Sequence, residues 1–296
     1  MPVQLEVSRV VVPDEAQAVQ VLAGLVGGHG YDRVVVDANL RRMGADVKRL
    51  RGIVNLVIFD FDMCQENVPA SSWYRCYVPV LKYISPVKVL TSSACLMAYF
   101  RQRGIAAELV CKGYDPEVIR NERMERDIPA AFVGRISHKV YRERRTFLES
   151  AVRKNLIKIM RAEPGAAYNQ LLNRIRVFVS ADVGFNEYMI KNFEAMAAGC
   201  LLLAWRQPEA EQQALGFEEG RHLLMYESLD ELQAKLAWVR ERPDDAEKIA
   251  EAGSELVCSM HRWESRASAV AAAIEAPGGV PDGMLGFKER LRLMRI

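Results

Sequence analysis

The chain has 296 residues, half of them hydrophobic and 26% charged, with a net charge of +2; this is a globular composition with room for two domains of ordinary size. No apolar run reaches the roughly 20 residues needed to cross a bilayer, and the opening Met1-Pro-Val-Gln-Leu-Glu-Val7 lacks the basic and apolar regions of a secretory signal, so a cytoplasmic protein is expected. The six cysteines, at 64, 76, 95, 111, 200 and 258, form no Cys-x-x-Cys pair, and the four histidines are scattered, which argues against a disulfide framework and a zinc centre.

Strand and helix signals alternate from the start. A β-branched run at 7–12 reads as a strand, and a helical pattern follows to Val26, ended by Gly27-Gly-His-Gly30. Strands are expected at 33–37, 53–61, 86–90 and 107–111, and helical segments at 40–51, 71–84 and, after the cap Thr91-Ser-Ser93, up to Arg103. Lys112-Gly-Tyr-Asp-Pro-Glu117 is turn chemistry and leads into a polar stretch to Asp127 that reads as a hinge, with Gly113 absorbing backbone change. A second series follows, with strands at 130–135, 156–160, 177–180, 200–204 and 222–226 and helices at 142–153, 168–174, 228–240 and 243–258. Strands separated by helices imply parallel sheets covered on both faces. The expected domains are 1–125, a short Rossmann-like unit, and 126–275, a second one, with 276–296 as a tail that packs back on the first.

The small net charge hides an uneven distribution. Residues 127–176 hold 11 Lys and Arg against 4 Asp and Glu, whereas from 177 onward 13 face 20. The basic block suits a diphosphate or an anionic membrane surface. It lacks the interleaved aromatics that stack nucleic-acid bases, so no nucleic-acid partner is expected.

The densest motif is Asn192-Phe-Glu-Ala-Met-Ala-Ala-Gly-Cys-Leu-Leu-Leu-Ala204, a helix with one acid, a glycine and a buried strand. A glutamate in an otherwise apolar helix start is costly to bury unless something binds it. Val89-Leu-Thr-Ser-Ser-Ala, Arg103-Gly-Ile and Cys111-Lys-Gly-Tyr-Asp-Pro-Glu117 precede it in order, with Phe132-Val-Gly-Arg135 between. Leu229-Asp-Glu-Leu232, Arg242-Pro243, Ile249-Ala-Glu-Ala-Gly253 and His261-x-x-x-x-Arg266 follow it. Over about 180 residues this order resembles glycosyltransferases of the GT-B fold, with the group 1 type of C-terminal domain and a tail similar to the CgeB-like (spore-maturation-type) members.

The resemblance implies an α/β fold of two Rossmann-like doubly wound domains facing a cleft. It implies transfer of a sugar from a nucleoside-diphosphate sugar to a glycan, lipid-linked or protein acceptor, as in cell-surface polysaccharide biosynthesis, without metal or cofactor. Glu194 is then the ribose-binding acid, and the helix start faces the diphosphate. Arg135 and a neighbour such as His138 or Arg142 would stabilise the leaving diphosphate. Asn186, Lys191, Asn192 and Tyr226 are further candidates to line the donor site. The sequence departs from the family at the acid that usually stands eight positions before the helix glutamate. That place holds Asn186, with Glu187 next to it as the candidate catalytic acid if the loop shifts by one. Lys191 stands where the CgeB-like pattern often has arginine. On the acceptor side Asp62 is the candidate general base.

Other readings sit beside these. Asp60-Phe-Asp62 is also the metal signature of GT-A enzymes, but aspartates at strand ends are common at clefts. His29 is explained by its turn glycines. Trp73, Tyr74 and Tyr77 are either a sugar shelf or one apolar helix face, the latter favoured by their spacing. His261 and Arg266 are either a surface pair or, by the resemblance, part of the C-terminal crossover. The basic amphipathic end, 283–296, is a candidate for peripheral contact with the inner face of a membrane or for packing on a domain. Two other functions stay open: a catalytically silent sugar-nucleotide-binding module, and an epimerase or hydrolase of sugar nucleotides.

Overall fold

The structure, a computed structural model, describes residues 9–11, 30–137, 139–281 and 284–296. The expected helix at 14–26 and the turn at His29 lie outside these residues, and of the strand expected at 7–12 only 9–11 are described, without regular structure. The chain forms two compact units. One extends to Val110 and takes in Ala267–Ile296; the other is Cys111–Arg266.

In the first unit β1 (Val34–Asp37), β2 (Leu56–Phe59), β3 (Lys88–Thr91) and β4 (Ala107–Leu109) form a parallel sheet in that order. All four residues of β2 and of β3 are buried, as continuous apolar strands covered on both faces require. Ile58 and Val89 face Leu81 and Phe100 on one side, and Val57, Phe59 and Leu90 face Val270, Ala273 and Ile274 on the other. Lys88 is the buried exception. Its ammonium donates to Ala273 O at 2.7 Å and also to Ala276 O, at the carboxyl end of the helix Trp263–Glu275, where a cation is favoured.

The helix expected at 40–51 is shorter. It runs Leu40–Met43 and then tightens into a 3-10 segment, Gly44–Leu50, because Gly44 takes a positive φ that interrupts the ladder. The segment expected at 71–84 is helical only over Tyr77–Ile84. Trp73 and Tyr77 are buried with ring centroids 4.9 Å apart, as members of the core. Ser93 caps the helix Ala94–Arg101 through Leu96 N, as its place before an apolar run leads one to expect.

The second unit carries β5 (Ile128–Val133), β6 (Lys158–Met160), β7 (Ile175–Ser180), β8 (Leu201–Trp205) and β9 (Leu224–Tyr226). They form one parallel sheet in the order β6-β5-β7-β8-β9. The chain winds to one side of β5 first and then to the other, so the doubly wound order reverses between β5 and β7. Alternate residues serve opposite faces: Ala131, Phe178 and Leu202 pack with Phe193 and Met196, while Phe132, Val179 and Leu203 pack with Leu148 and Tyr226.

The polar stretch before β5 is bonded to this unit. Arg120 N and Glu122 N donate to the buried side chains of Asn169 and Asn173, at 3.0 and 2.6 Å. Arg126 donates to Ile175 O at 2.6 Å and to Ala198 O at 2.7 Å. Gly199, at φ 84°, is required here, since a Cβ would lie 2.6 Å from the Arg126 guanidinium. Arg126→Met leaves both carbonyls without their charged donor and should lower stability by about 2 kcal/mol; urea unfolding of the two proteins side by side measures it, and an unchanged midpoint would mean water replaces the guanidinium.

Candidate functional site

In an open parallel sheet, the crevice beyond the carboxyl ends at the point of reversal is where ligands bind. In the second unit that point is bordered by the loops after β5 and β7, and Asp182 holds it together. Its Oδ2 accepts from Ser180 Oγ at 3.0 Å, Met189 N at 3.2 Å and Asn192 Nδ2 at 2.8 Å. Its Oδ1 meets Arg144 Nη2 at 2.7 Å, and both side chains are buried. Arg144 donates through Nε to Ala181 O at 2.9 Å and lies over the Tyr141 and Phe185 rings at 4.7 and 4.9 Å. Gln207 Nε2, beyond β8, reaches Asp182 O at 3.2 Å. A buried charge is tolerated when it is paired and fully hydrogen-bonded, and this one joins three segments: the helix of Arg144, the end of β7 and the stretch Met189–Asn192.

The helix Ile190–Ala197 starts beside it. Met189 precedes the helix in extended conformation, no side chain caps it, and its first turn carries no acid, so the helix end keeps its affinity for an anion. Lys191 lies in that first turn. A Cβ on Gly134, at the end of β5, would stand 3.2 Å from Lys191 Cε and 3.1 Å from the Phe132 ring, so glycine lets the lysine cross there. Lys191 Nζ is 4.8 Å from the centre of the Tyr168 ring. Burial pushes its ammonium below the ordinary lysine range, and Glu194 pulls it back up.

Glu194 follows in the next turn, deeper in the helix than a first-turn acid. Tyr168 Oη donates to Glu194 Oε2 at 2.8 Å. Burial raises the Glu194 carboxyl, while Tyr168 and Lys191 lower it; burial and the same carboxylate push the Tyr168 hydroxyl far up. Gly134, Lys191, Tyr168 and Glu194 are thus brought together. Arg135, next to Gly134, is exposed, as are Asn186 and Arg142. Arg142 opens the helix Arg142–Arg153 and borders, with Phe147, Val183 and Leu229, a pocket of about 620 Å³. His138 lies outside the described residues.

Three expected site residues are engaged elsewhere. Glu187 is buried and accepts from Lys112 Nζ at 2.5 Å, with side-chain exposures of 1% and 4%. Tyr226 is fully buried, donates to Ser180 O at 2.7 Å and stacks on Phe147, so it forms the floor behind β7. Asn192 is buried with its amide nitrogen on Asp182, and its Oδ1 has no partner among the described residues.

In the first unit the two aspartates after β2 part ways. Asp60 is buried and accepts from Asp62 N at 2.7 Å, Leu40 N at 2.9 Å and Tyr77 Oη at 3.1 Å; burial, opposed by these bonds, raises it to about 6. Asp62 is half-exposed and meets Asn39 Nδ2 at 2.5 Å and Arg41 Nη2 at 3.2 Å. Asp60 is therefore committed to two backbone amides and the Tyr77 hydroxyl, and of the two aspartates only Asp62 reaches solvent. His261 and Arg266 bond each other; His261 Nε2 also contacts Leu215 O at 2.9 Å, and Arg266 Nη1 donates to Cys111 O at 2.8 Å. They fasten the ends of the second unit instead of pairing on a helix surface.

Residues 119–272 match the family model described as glycosyl transferase-like. The chain belongs to that family. Solved structures of the same fold include sucrose-phosphate synthase from Thermosynechococcus elongatus, with a TM-score of 0.64 and 16% identity over 86% of this chain and 75% of that one. HepE of Anabaena in complex with UDP and glucose gives 0.63 and 13%, over 88% and 81%. A glycosyltransferase from Rickettsia africae gives 0.57 and 14%, over 93% and 85%. No curated protein matched. At these identities the structural likeness is one of fold, and the fold is GT-B, built of two Rossmann-like α/β units.

Sequence reasoning on this glycosyltransferase missed Asp182, Lys112 and Tyr168, and counted Arg144 only within the basic block of 127–176. A signal existed for Asp182 and Arg144: an acid two residues past a buried strand, and an arginine on the inward side of an amphipathic helix. Lys112 and Glu187 should behave as a buried structural pair. Glu187→Leu or Lys112→Met alone should cost about 3 kcal/mol, whereas the two together should cost less than either. Denaturant unfolding of the four proteins tests it; strictly additive losses would show that the two do not act as a pair.

Proposed function

We propose that this glycosyltransferase takes a nucleoside-diphosphate sugar on its second unit and transfers the sugar to a glycan, lipid-linked or protein hydroxyl. The supporting observation is the group formed by Lys191, Tyr168 and Glu194 at the uncapped start of the helix Ile190–Ala197, beside the reversal of the sheet. The related fold that holds UDP and glucose in HepE supports a donor of this class. Glu194 accepts from the ribose hydroxyls, held in place by Tyr168. Lys191, Arg135 and the helix N–H groups receive the charge that grows on the diphosphate as the glycosidic bond breaks. Arg142 borders the same loops as a secondary phosphate contact, His138 is a further candidate from its place in the sequence after Arg135, and Asn186 is an exposed loop contact. Asn192, through Asp182, and Glu187, through Lys112, act by positioning the loop. Asp62, on the first unit, is the candidate base for the acceptor hydroxyl. Work in the cytoplasm beside the membrane, in surface-polysaccharide synthesis, belongs to the same proposal, as does the finer kinship with CgeB-like members.

A binding module without turnover is favoured by one observation: Glu187, the acid adjacent to the family's first catalytic position, is sealed against Lys112. Nucleotide release from a panel of sugar nucleotides, with and without acceptors, separates the readings. Turnover with sugar found on an acceptor supports transfer, a changed or freed sugar supports an epimerase or hydrolase, and binding alone supports the module.

Glu194→Gln should weaken nucleotide binding by about 1.5–3 kcal/mol, because a charged acceptor becomes a neutral one. Wild-type affinity should also fall as the pH drops through the raised Glu194 pKa, since the protonated carboxyl no longer accepts two hydroxyls, and the glutamine variant should lack that slope. Titration calorimetry with UDP, GDP and dTDP checks both; equal affinity of the two proteins at every pH removes Glu194 from the site.

The diphosphate charge is proposed to be met by Lys191, Arg135 and the helix end instead of a divalent ion. Activity should then survive EDTA. Activity lost with EDTA and restored by Mn²⁺ would move the chemistry to a metal.

A further inference from the structure

The last helix, Phe287–Met294, has two faces with opposite tasks. Its inner face is spent on the first unit: Glu289 reaches Lys82 at 3.7 Å, and Leu293 and Ile296 pack against the core that contains Tyr77 and Leu81. Gly286 N donates to Glu289 Oε2 at 2.8 Å and fixes the helix start. The outer face is apolar. Phe287, Leu291 and Met294, spaced i, i+4 and i+7, share one side and are 78%, 44% and 79% exposed, with Met284 before them at 88%. Single exposed apolar residues need no explanation, but a contiguous stripe rimmed by polar groups marks an interaction surface.

The rim decides the partner. Lys288, Arg290 and Arg295 are exposed on either side of the stripe, and the one acid of the helix, Glu289, is turned inward onto Lys82. Apolar residues between cations, with no outward acid, complement a surface of acyl chains beneath anionic headgroups. They do not complement a second copy of the same face, whose cations would meet its own. We propose that this face docks the protein on an anionic phospholipid surface, with Phe287, Leu291 and Met294 entering the headgroup boundary and Lys288, Arg290 and Arg295 held at the phosphates. The inference rests on the first unit alone and is independent of the donor reading.

Flotation of the full chain with phosphatidylcholine vesicles, with and without phosphatidylglycerol, tests it. The wild type should float with the anionic vesicles and less so as salt is raised, because the charges are screened. Phe287→Ser with Met294→Ser should lower partitioning at least tenfold, and Lys288→Gln with Arg290→Gln by a similar factor. Circular dichroism and thermal unfolding confirm that these surface variants fold. Equal floating of wild type and variants, no floating with anionic vesicles, or equal floating with neutral ones would overturn the proposal. So would a dimer in sedimentation that Phe287→Ser with Met294→Ser dissolves, since the face would then belong to a second copy.

Discussion

The Asp182–Arg144 pair sets the geometry of the second unit's upper edge. Neither group could be buried alone, because an isolated charge in a low-dielectric interior costs far more than a fold can spare. Paired, they draw in Ser180, Met189 N and Asn192, so the helix Arg142–Arg153, the end of β7 and the start of Ile190–Ala197 are located by one carboxylate, while Gln207 ties the segment after β8 to the backbone carbonyl of the same residue. Lys191 and Glu194 hang from a helix whose first turn is fixed this way. Their spacing relative to Gly134 and Tyr168 is thus a consequence of charge burial several residues away.

The parts of the fold and site that were legible are those whose signal is local. The runs around Ile58, Phe178 and Leu202 announce buried parallel strands, and Glu194 stands out because an acid interrupts an apolar helix ahead of a glycine and a strand. What was not legible depends on partners distant in sequence. Tyr168 meets Glu194 from another helix, and Lys112 meets Glu187 from the far end of the unit. Asn169 and Asn173 look like solvent-facing helix residues, yet they are buried to satisfy the amides of Arg120 and Glu122. The helix Glu209–Leu215 was missed because its residues are mainly polar, and Glu211, one of them, is buried nonetheless.

The loop before the helix Ile190–Ala197 shows why a one-residue shift cannot be read from spacing. Asn186 takes φ 57°, a left-handed conformation that asparagine tolerates better than glutamate because its short amide can bond locally. That turn points Asn186 outward and the next side chain, Glu187, inward. Whether an acid is outside or inside is thus settled by the turn, and the inward position demands a counterion, which Lys112 supplies. The register that places asparagine at the family's usual acid position and the burial of Glu187 are two sides of one backbone choice.

The same lysine links this loop to the way the chain enters and leaves the second unit. Tyr114 N donates to His261 O at 3.0 Å and Trp263 N to Tyr114 O at 3.2 Å, while Arg266 holds Cys111 O. A Cβ on Gly113 would collide with the His261 carbonyl, so the glycine there is needed for close approach, whereas the turn-like sequence around it suggested backbone freedom. His261 is pushed down to about 4 by burial first and by the Arg266 cation second, so it is neutral throughout the physiological range and the cation of the His261–Arg266 pair is Arg266. Lys112 sits inside this fastened segment and reaches Glu187. A charge removed at Glu187 would therefore be felt at the entry and exit of the unit as well as in the loop, which is the behaviour of a structural keystone.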